Sequence, residues 1–318
     1  MIEVTNLTKY YGSHRAVCDI SFKIEKGLIY GFLGPNGAGK TTVMNIMTGY
    51  IGASGGKVLV NGYDIVEDPE NAKRCIGYLP EQPPLYVDMT VLEYLNFAAD
   101  LKKVPKDKAK AQIDELLDII QIRDVKNRLI KFLSKGYRQR VGLAQAIIGY
   151  PDIIILDEPT VGLDPRQIID IRNLIKSLGE KHTVILSSHI LSEISAVCDY
   201  VLILSHGRLV ASDTPENLGR IMKGTNIISL TAKGTESELR GVLSNIQNIT
   251  KLSILPIEGG FIEVDVESPI DVDLRENVFY ALSGAKCPIM ALSTRNISLE
   301  ETFLELTKSE GAPNDGNI

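Results

Sequence analysis

Apolar and polar residues alternate at the start of the chain, in Ile2-Glu3-Val4 and Ile20-Ser21-Phe22-Lys23-Ile24, which predicts half-buried strands. Residues 28–33 (LIYGFL) then form an apolar run ending in glycine-rich sequence, followed by a helix-like stretch; residues 57–60 and 75–79 read as two more strands. Between about 90 and 150 the period changes to helical, in TVLEYLNFAADLKK, DKAKAQIDELLDII and SKGYRQRVGLAQAIIGY, with Pro105 separating the first two. Residues 152–156 (DIIIL) and 183–188 (TVILSS) are short continuous apolar runs flanking the helical 165–179 (PRQIIDIRNLIKSLG). Continuous apolar strands alternating with helices predict an α/β domain around a buried parallel sheet.

Past Gly219 the pattern changes again. NIISLTAKG, SELRGVLSNI, ITKLSIL, FIEVDVE, DLRENVFYALSG and IMALST read in order as β-α-β-β-α-β, an order compatible with a small ferredoxin-like α+β domain. A last helix is expected over 298–308, with a capping box Ser298…Glu301 and an apolar face at Leu299, Phe303 and Leu306; residues 311–318 are expected to be a flexible tail. The expected domains are therefore 1–220, with a helical subdomain at about 88–150, and 221–310.

Composition refines this picture in three ways. The chain of 318 residues, 44% hydrophobic and 23% charged, is long enough for two domains with sizeable cores. Its longest uncharged run, residues 41–56, is shorter than the roughly 20 mostly apolar residues of a membrane helix and is rich in Gly and Ala. No basic segment followed by an apolar one opens the sequence, so no signal peptide is expected. The four cysteines (Cys18, Cys75, Cys198, Cys287) lack CxxC spacing and read as reduced, small apolar residues. Charge is uneven: of the net −6, residues from Thr225 onward carry 14 acids against 7 bases, leaving the first part about neutral. The acidic part is a poor surface for nucleic acid.

Two stretches carry chemistry. GPNGAGKTT, residues 34–42, fits G-x-x-x-x-G-K-[ST] between an apolar strand and a helix. Gly37 and Gly39 let successive backbone N–H groups turn inward as an anion nest, Lys40 reaches the β- and γ-phosphates, and Thr41 can hold Mg2+. IIILDEP, residues 153–159, carries Asp157 and Glu158 to the exposed end of a strand, where ligands of α/β sheets bind. Alone, such a pair is more often a helix start with favourable dipole charges. Beside a phosphate loop it reads as Asp157 coordinating Mg2+ through water and Glu158 polarising an attacking water as general base.

At this point residues 1–220 resemble the nucleotide-binding subunit of an ABC transporter, whose motifs occur here in the family's order. The resemblance implies that Tyr11 stacks on adenine. It also implies that the loop residues Gly34, Asn36, Gly37, Ala38, Gly39, Lys40, Thr41 and Thr42 hold the phosphates of ATP. Gln82 in LPEQPPL matches the glutamine that senses Mg2+, the attacking water and the permease. LSKGY (133–137) matches the ABC signature, Asp157 and Glu158 the Walker B pair, GLDP (162–165) with Asp164 the D-loop, and His189 in LSSHI the switch histidine. Singly each has a plainer reading: Tyr11 a surface aromatic, Gln82 a loop residue, Asp164 a helix cap, His189 a structural histidine. Seven in order and at the family's separation are another matter.

The expected fold is thus a P-loop NTPase of the ABC-ATPase type, with an antiparallel β subdomain and a helical subdomain. The family's common signature is LSGGQ; here Lys135 and Tyr137 replace a glycine and the glutamine, while Ser134 and Gly136 remain. LSKGYRQR is similar to the signature of subunits serving ABC-2-type exporters, such as gliding-motility and multidrug or bacteriocin-immunity systems.

The implied mechanism is a head-to-tail dimer, of two copies or with a paralogous subunit, around two ATP and Mg2+. Ser134 and Gly136 of one protomer meet the ATP on its partner's loop. Glu158, His189, Gln82 and Lys40 are the expected catalytic set, and Thr41, Gln82 and Asp157 the metal set. The implied partner is an integral-membrane ABC-2-type permease, contacted near Gln82 and the helices around 86–103, with the subunit held at the cytoplasmic face of the membrane. The alternative class is a non-transport ABC ATPase acting on DNA or the ribosome. It is disfavoured by a single P-loop, by only about 110 residues between loop and DE pair, and by the lack of a basic surface.

Overall fold

The computed structural model describes residues 1–222, 226–257, 260–269 and 272–296; the expected last helix and tail lie outside these. The chain divides into two compact units, Met1–Pro215 and Glu216–Ile318. The break falls a few residues before the position suggested by the sequence pattern, because Pro215 already opens a new helix.

The first unit holds two sheets. In the antiparallel one, β1 (Ile2–Tyr11) lies between β2 (His14–Ile24) and β4 (Gly55–Val60), with the short β5 (Tyr63–Asp64) outside β4. The second has six strands in the order β10 (Arg208–Asp213), β9 (Tyr200–Ser205), β3 (Ile29–Leu33), β8 (Thr183–Ser188), β7 (Ile153–Leu156) and β6 (Ile76–Leu79). Only β10 runs antiparallel. Strands β3, β7 and β8 are buried along their whole length, as strands covered on both faces must be. The β9–β10 hairpin carries no strong alternation in β10, and the sequence pattern had not indicated it.

Helix α1 (Lys40–Met47) leaves the end of β3 through the glycine loop. Its Val43, Met44, Ile46 and Met47 share one core with Ile2, Val4 and Ile20 of the antiparallel sheet and with Phe32, Ile155 and Ile185 of the parallel one. The loop is therefore clamped between two sheets. After α2 (Pro69–Arg74) and β6 come the helices α3 (Val91–Leu101), α4 (Lys106–Ile119) and α5 (Lys135–Ile147). Thr90 and Glu93 form a capping box at the start of α3, and Ser134 caps α5 by accepting from the Tyr137 N–H at 3.4 Å. At the other end of α5, the Lys102 ammonium donates to the carbonyls of Gln145, Ala146 and Ile148 at 2.8–3.0 Å, a cation at a helix C-terminus. Burial pushes its pKa down to about 8. The unit is completed by α6 (Pro165–Gly179), which opens on an Asp164–Gln167 capping box, and by α7 (Leu191–Ser195).

The second unit begins in α8 (Pro215–Met222) and contains β11 (Asn226–Lys233), α9 (Glu236–Leu243), β12 (Lys251–Ile257), β13 (Phe261–Ser268), α10 (Arg275–Gly284) and β14 (Ile289–Asn296). The sheet order β12-β13-β11-β14 with every neighbour antiparallel is the ferredoxin-like arrangement. Ile228, Leu230 and Ala232 of β11 and Ile262, Val264 and Val266 of β13 pack on Leu239, Leu243, Val278 and Leu282 of the helices, the period-2 and helical patterns meeting in one core.

One close approach fixes the helical region against the parallel sheet. A Cβ on Gly77 of β6 would lie 2.1 Å from the Ala146 carbonyl oxygen of α5, a backbone atom with little room to yield. We expect Gly77→Ala to cost about 1–3 kcal/mol, measured as a Tm lower by several degrees in thermal unfolding; an unchanged Tm would mean that α5 moves away freely.

Candidate nucleotide site

The site forms where the C-terminal ends of β3, β7 and β8 meet the N-terminus of α1, the end at which α/β sheets bind ligands. A cleft of about 510 Å3 there is lined by Tyr11, His14, Ala16, Asn36–Thr42, Glu81, Glu158, Val161 and His189. A second cleft of about 550 Å3, between residues 70–76, 101–112 and 148–151, opens by the N-terminal ends of β6 and β7. Size does not choose between them; chemistry does.

The glycine loop has its shape for local reasons. Gly37 and Gly39 adopt φ of +83° and +101°, which only glycine takes without strain, and a Cβ on Gly39 would meet the Ala16 carbonyl at 2.7 Å. Lys40 opens α1 and is only 5% exposed. Its ammonium donates to the carbonyls of Gly34 (2.8 Å) and Pro35 (3.3 Å) and pairs with Glu158 Oε1 at 3.3 Å.

Asp157 and Glu158 follow β7 directly and are both buried. Ser187, at the end of neighbouring β8, joins them: its hydroxyl donates to Asp157 Oδ1 at 2.6 Å and accepts from the Glu158 N–H at 2.8 Å. Thr41 Oγ1 donates to the same Asp157 Oδ1 at 3.3 Å. Glu158 sits at φ +48°, a left-handed backbone that a non-glycine residue adopts at a cost and that recurs at functional sites. Its Oε2 accepts from His189 Nδ1 at 3.0 Å, a bond that requires the proton on Nδ1 and leaves Nε2 for a substrate. Lys40, Thr41, Asp157, Glu158 and His189, predicted from three separate stretches, thus form one connected group.

Four other predicted residues stand elsewhere. Gln82 is exposed and does not line the cleft, where its neighbour Glu81 does. Asp164 caps α6, accepting from the Gln167 N–H at 2.9 Å, which is the plainer of its two readings. Ser134 and Gly136 are at the start of α5, away from the lining of this chain's own cleft. Gly136 is buried beneath the Gln167 amide, which a Cβ would meet at 2.9 Å, so a side chain there would push the end of Gln167 aside. Lys135 lays its ammonium over Gly162 of the GLDP segment, 2.2 Å from where a Cβ on that glycine would be. His14, Ala16, Glu81 and Ser187 were not anticipated; no spacing rule marks them, because strands distant in sequence bring them in.

The donor set suits a hard cation. Asp157 Oδ2 is buried and has no hydrogen-bond partner among the described residues, and with the Thr41 hydroxyl it supplies the oxygen ligands that Mg2+ prefers. Burial raises the Asp157 pKa, against the lowering by the hydrogen bonds from Ser187 and Thr41, and the charge of Glu158 raises it further.

A phosphate loop on a buried parallel sheet, faced by two acids and a histidine, defines a P-loop nucleoside triphosphatase. Residues 17–161 match the sequence profile of the ABC transporter family. The chain is 29% identical over 308 residues to the linearmycin resistance ATP-binding protein LnrL of Bacillus subtilis, covering 96% of this chain and 98% of that one. To the bacitracin transport ATP-binding protein BcrA of Bacillus licheniformis it is 40% identical over 212 residues, 66% of this chain and 68% of the other. Among solved structures, an ATP-binding subunit of an ABC transporter matches with TM-score 0.64 and 30% identity, over 70% of this chain and 92% of that one. The ATP-binding cassette MJ0796, in a dimeric post-hydrolysis state bound to ADP and Pi, matches with TM-score 0.62 and 25% identity, over 68% and 99%. This chain belongs to the ATP-binding subunits of ABC transporters, and it is an ATP hydrolase.

The raised Asp157 pKa has a consequence for stability. The folded chain keeps that proton to higher pH than the unfolded chain does, so ionising Asp157 costs folding free energy as pH rises from the unfolded to the folded pKa, and the cost persists above it. We expect Asp157→Asn to melt higher than the wild type at pH 7–8 without nucleotide, by about 2–4 °C per kcal/mol relieved. The difference should shrink toward pH 4, and Mg2+-dependent ATP binding should be lost. A lower Tm at neutral pH would contradict it.

Proposed function

We propose that this subunit powers a separate ABC-2-type permease that exports its cargo, closing as a head-to-tail dimer around two ATP. The observation that carries this reading is the match to the linearmycin resistance protein, which runs through the second unit as well as the first. The named bacitracin transport relative supports the transport role. No helix among the described residues is long and apolar enough to cross a membrane; in this reading a separate permease forms the passage and holds this subunit at the cytoplasmic face.

The residues take their roles from their positions. Backbone N–H groups of residues 36–41 and the N-terminus of α1 cradle the phosphates, and Lys40 donates to the β- and γ-oxygens. Tyr11, at the end of β1 and half exposed at the cleft, offers the ring face for adenine. Thr41 and Asp157 would hold Mg2+, which when bound neutralises phosphate charge. Glu158 polarises the attacking water, and His189, oriented by its Nδ1 bond to Glu158, presents Nε2 to the γ-phosphate. Ser134 and Gly136 open α5 with free N–H groups and the positive end of its dipole, and their distance from this chain's own cleft suits a γ-phosphate held by a partner. Gln82 and the exposed Tyr86 and Val87 beside it form the side offered to the permease.

Glu158→Gln tests both the chemistry and the assembly. It removes the carboxylate that competes with phosphate for Lys40, so ATP should bind several-fold more tightly while hydrolysis falls by about 100-fold or more, and the protein should elute as a dimer with ATP and Mg2+. A monomer at every ATP concentration would overturn the dimer. Ser134→Ala should slow turnover yet leave ATP binding to the monomer unchanged; full wild-type turnover would remove the contact across the dimer.

A further inference from the structure

Glu193 is a buried carboxylate for which the chemistry above has no use. It lies in the short helix α7, four residues after His189, with 5% of its surface exposed. Burying a carboxylate is costly unless hydrogen bonds and charge compensate it, and its partners come from three different elements. The Thr160 hydroxyl donates to Oε2 at 2.6 Å, and the Ser188 hydroxyl donates to the same oxygen at 3.2 Å. Oε1 faces the Arg172 guanidinium of α6 at 4.0 Å. Arg172 Nε is buried and has no partner among the described residues, so this guanidinium is held for its charge rather than by a saturated set of hydrogen bonds.

The identity of the partners gives the carboxylate its meaning. Thr160 is two residues after Glu158 and lies in the turn that leads toward Asp164. Ser188 immediately precedes His189, and its Oγ also accepts from the Ile190 N–H at 3.0 Å on the far side of that histidine. Glu193 Oε2 therefore binds the chain just beyond Glu158 and just before His189, the two residues that must stay 3.0 Å apart for the imidazole to be oriented. Adjacent Ser187 and Ser188 point to opposite faces of β8. Ser187 ties Asp157 and Glu158 together on one face, and Ser188 ties the histidine segment to Glu193 on the other. Arg172 extends the link to α6, whose N-cap is Asp164.

We propose that Glu193 is a positioning residue for ATP hydrolysis: through Thr160, Ser188 and Arg172 it fixes His189 against Glu158. It does not line the nucleotide cleft, so its loss slows turnover without weakening ATP binding. It also makes the His189 segment and α6 move as one body.

Steady-state kinetics on Thr160→Val and Glu193→Gln test this, with imidazole NMR as a second readout. Thr160→Val keeps the shape and removes only the donor; Glu193→Gln keeps an acceptor for both hydroxyls but removes the charge facing Arg172. Both should lower kcat by about tenfold with KM for ATP within about twofold, and Thr160→Ser should restore kcat. The chain has only four histidines, His14, His182, His189 and His206, so their ring signals are separable. His189 signals should shift in both slow variants. Those of His182, whose Nδ1 is 2.7 Å from the Pro151 carbonyl, should not. Unchanged kcat in both variants, a loss carried by KM, a loss with the His189 signals unmoved, or all four histidines shifting together as the fold loosens would each overturn the proposal.

Discussion

Burying the ammonium of Lys40 beside two buried carboxylates sets the terms for everything around it. Three charges in a water-poor place are tolerable only when each is met by an opposite charge or by aimed dipoles. The structure supplies both: the carbonyls of Gly34 and Pro35 and the carboxylate of Glu158 surround Lys40, and Ser187 binds Asp157 and the Glu158 backbone in one grip. These partners come from the ends of β3, β7 and β8, which are adjacent only because the parallel sheet places them so. The sheet is therefore the condition for the charges, and the charges are poised for a ligand that brings phosphate and a cation. The left-handed backbone of Glu158 and the unpartnered oxygen of Asp157 are costs retained at that point, the pattern of a site kept for function at the expense of stability.

The helical region answers a different constraint. Helix α5 must pass close enough to β6 that only glycine fits at position 77, and its first turn must admit Gln167 over Gly136. Lys135, which replaces a glycine of the common family signature, lies over Gly162 of its own chain, and Arg140 of α5 reaches Asp170 of α6 at 3.0 Å. The start of α5 is thus bound to the segment 162–170 by packing and by charge. The basic residues Lys135 and Arg140 are in this way engaged within the chain rather than left as a basic surface.

Much of this was legible beforehand, for reasons that differ between elements. The glycine loop was readable because its backbone geometry restricts the residues allowed, and the strand before Asp157 because full burial demands an unbroken apolar run. The second unit was readable because β13 alternates strictly and α9 carries a Thr235–Glu238 capping box. Hairpin β9–β10 was not, since β10 is an edge strand with half-exposed residues and little alternation. Gln82 and Glu81 show the limit at single residues: both lie in a bend after β6, and only the path of the chain decides which one reaches the cleft. Ser187 and Glu193 left no mark at all, because a serine in an apolar strand and a glutamate in a short helix are ordinary until their partners are known.

The sequence by itself determined the local chemistry: a loop able to wrap phosphates, an acid pair at a strand end, a histidine after another strand, and two domains of different charge. Each is a property of a few consecutive residues, which is why each could be read from them. Tertiary structure alone decided which of these groups meet. It brought Lys40, Thr41, Asp157, Glu158 and His189 within hydrogen-bonding reach of one another, set Gln82 apart, and made Glu193 a common anchor for Thr160 and Ser188. Contacts between residues 30 to 120 positions apart depend on strand order in the sheet, and that order is fixed by the packing of the whole core rather than by any segment within it.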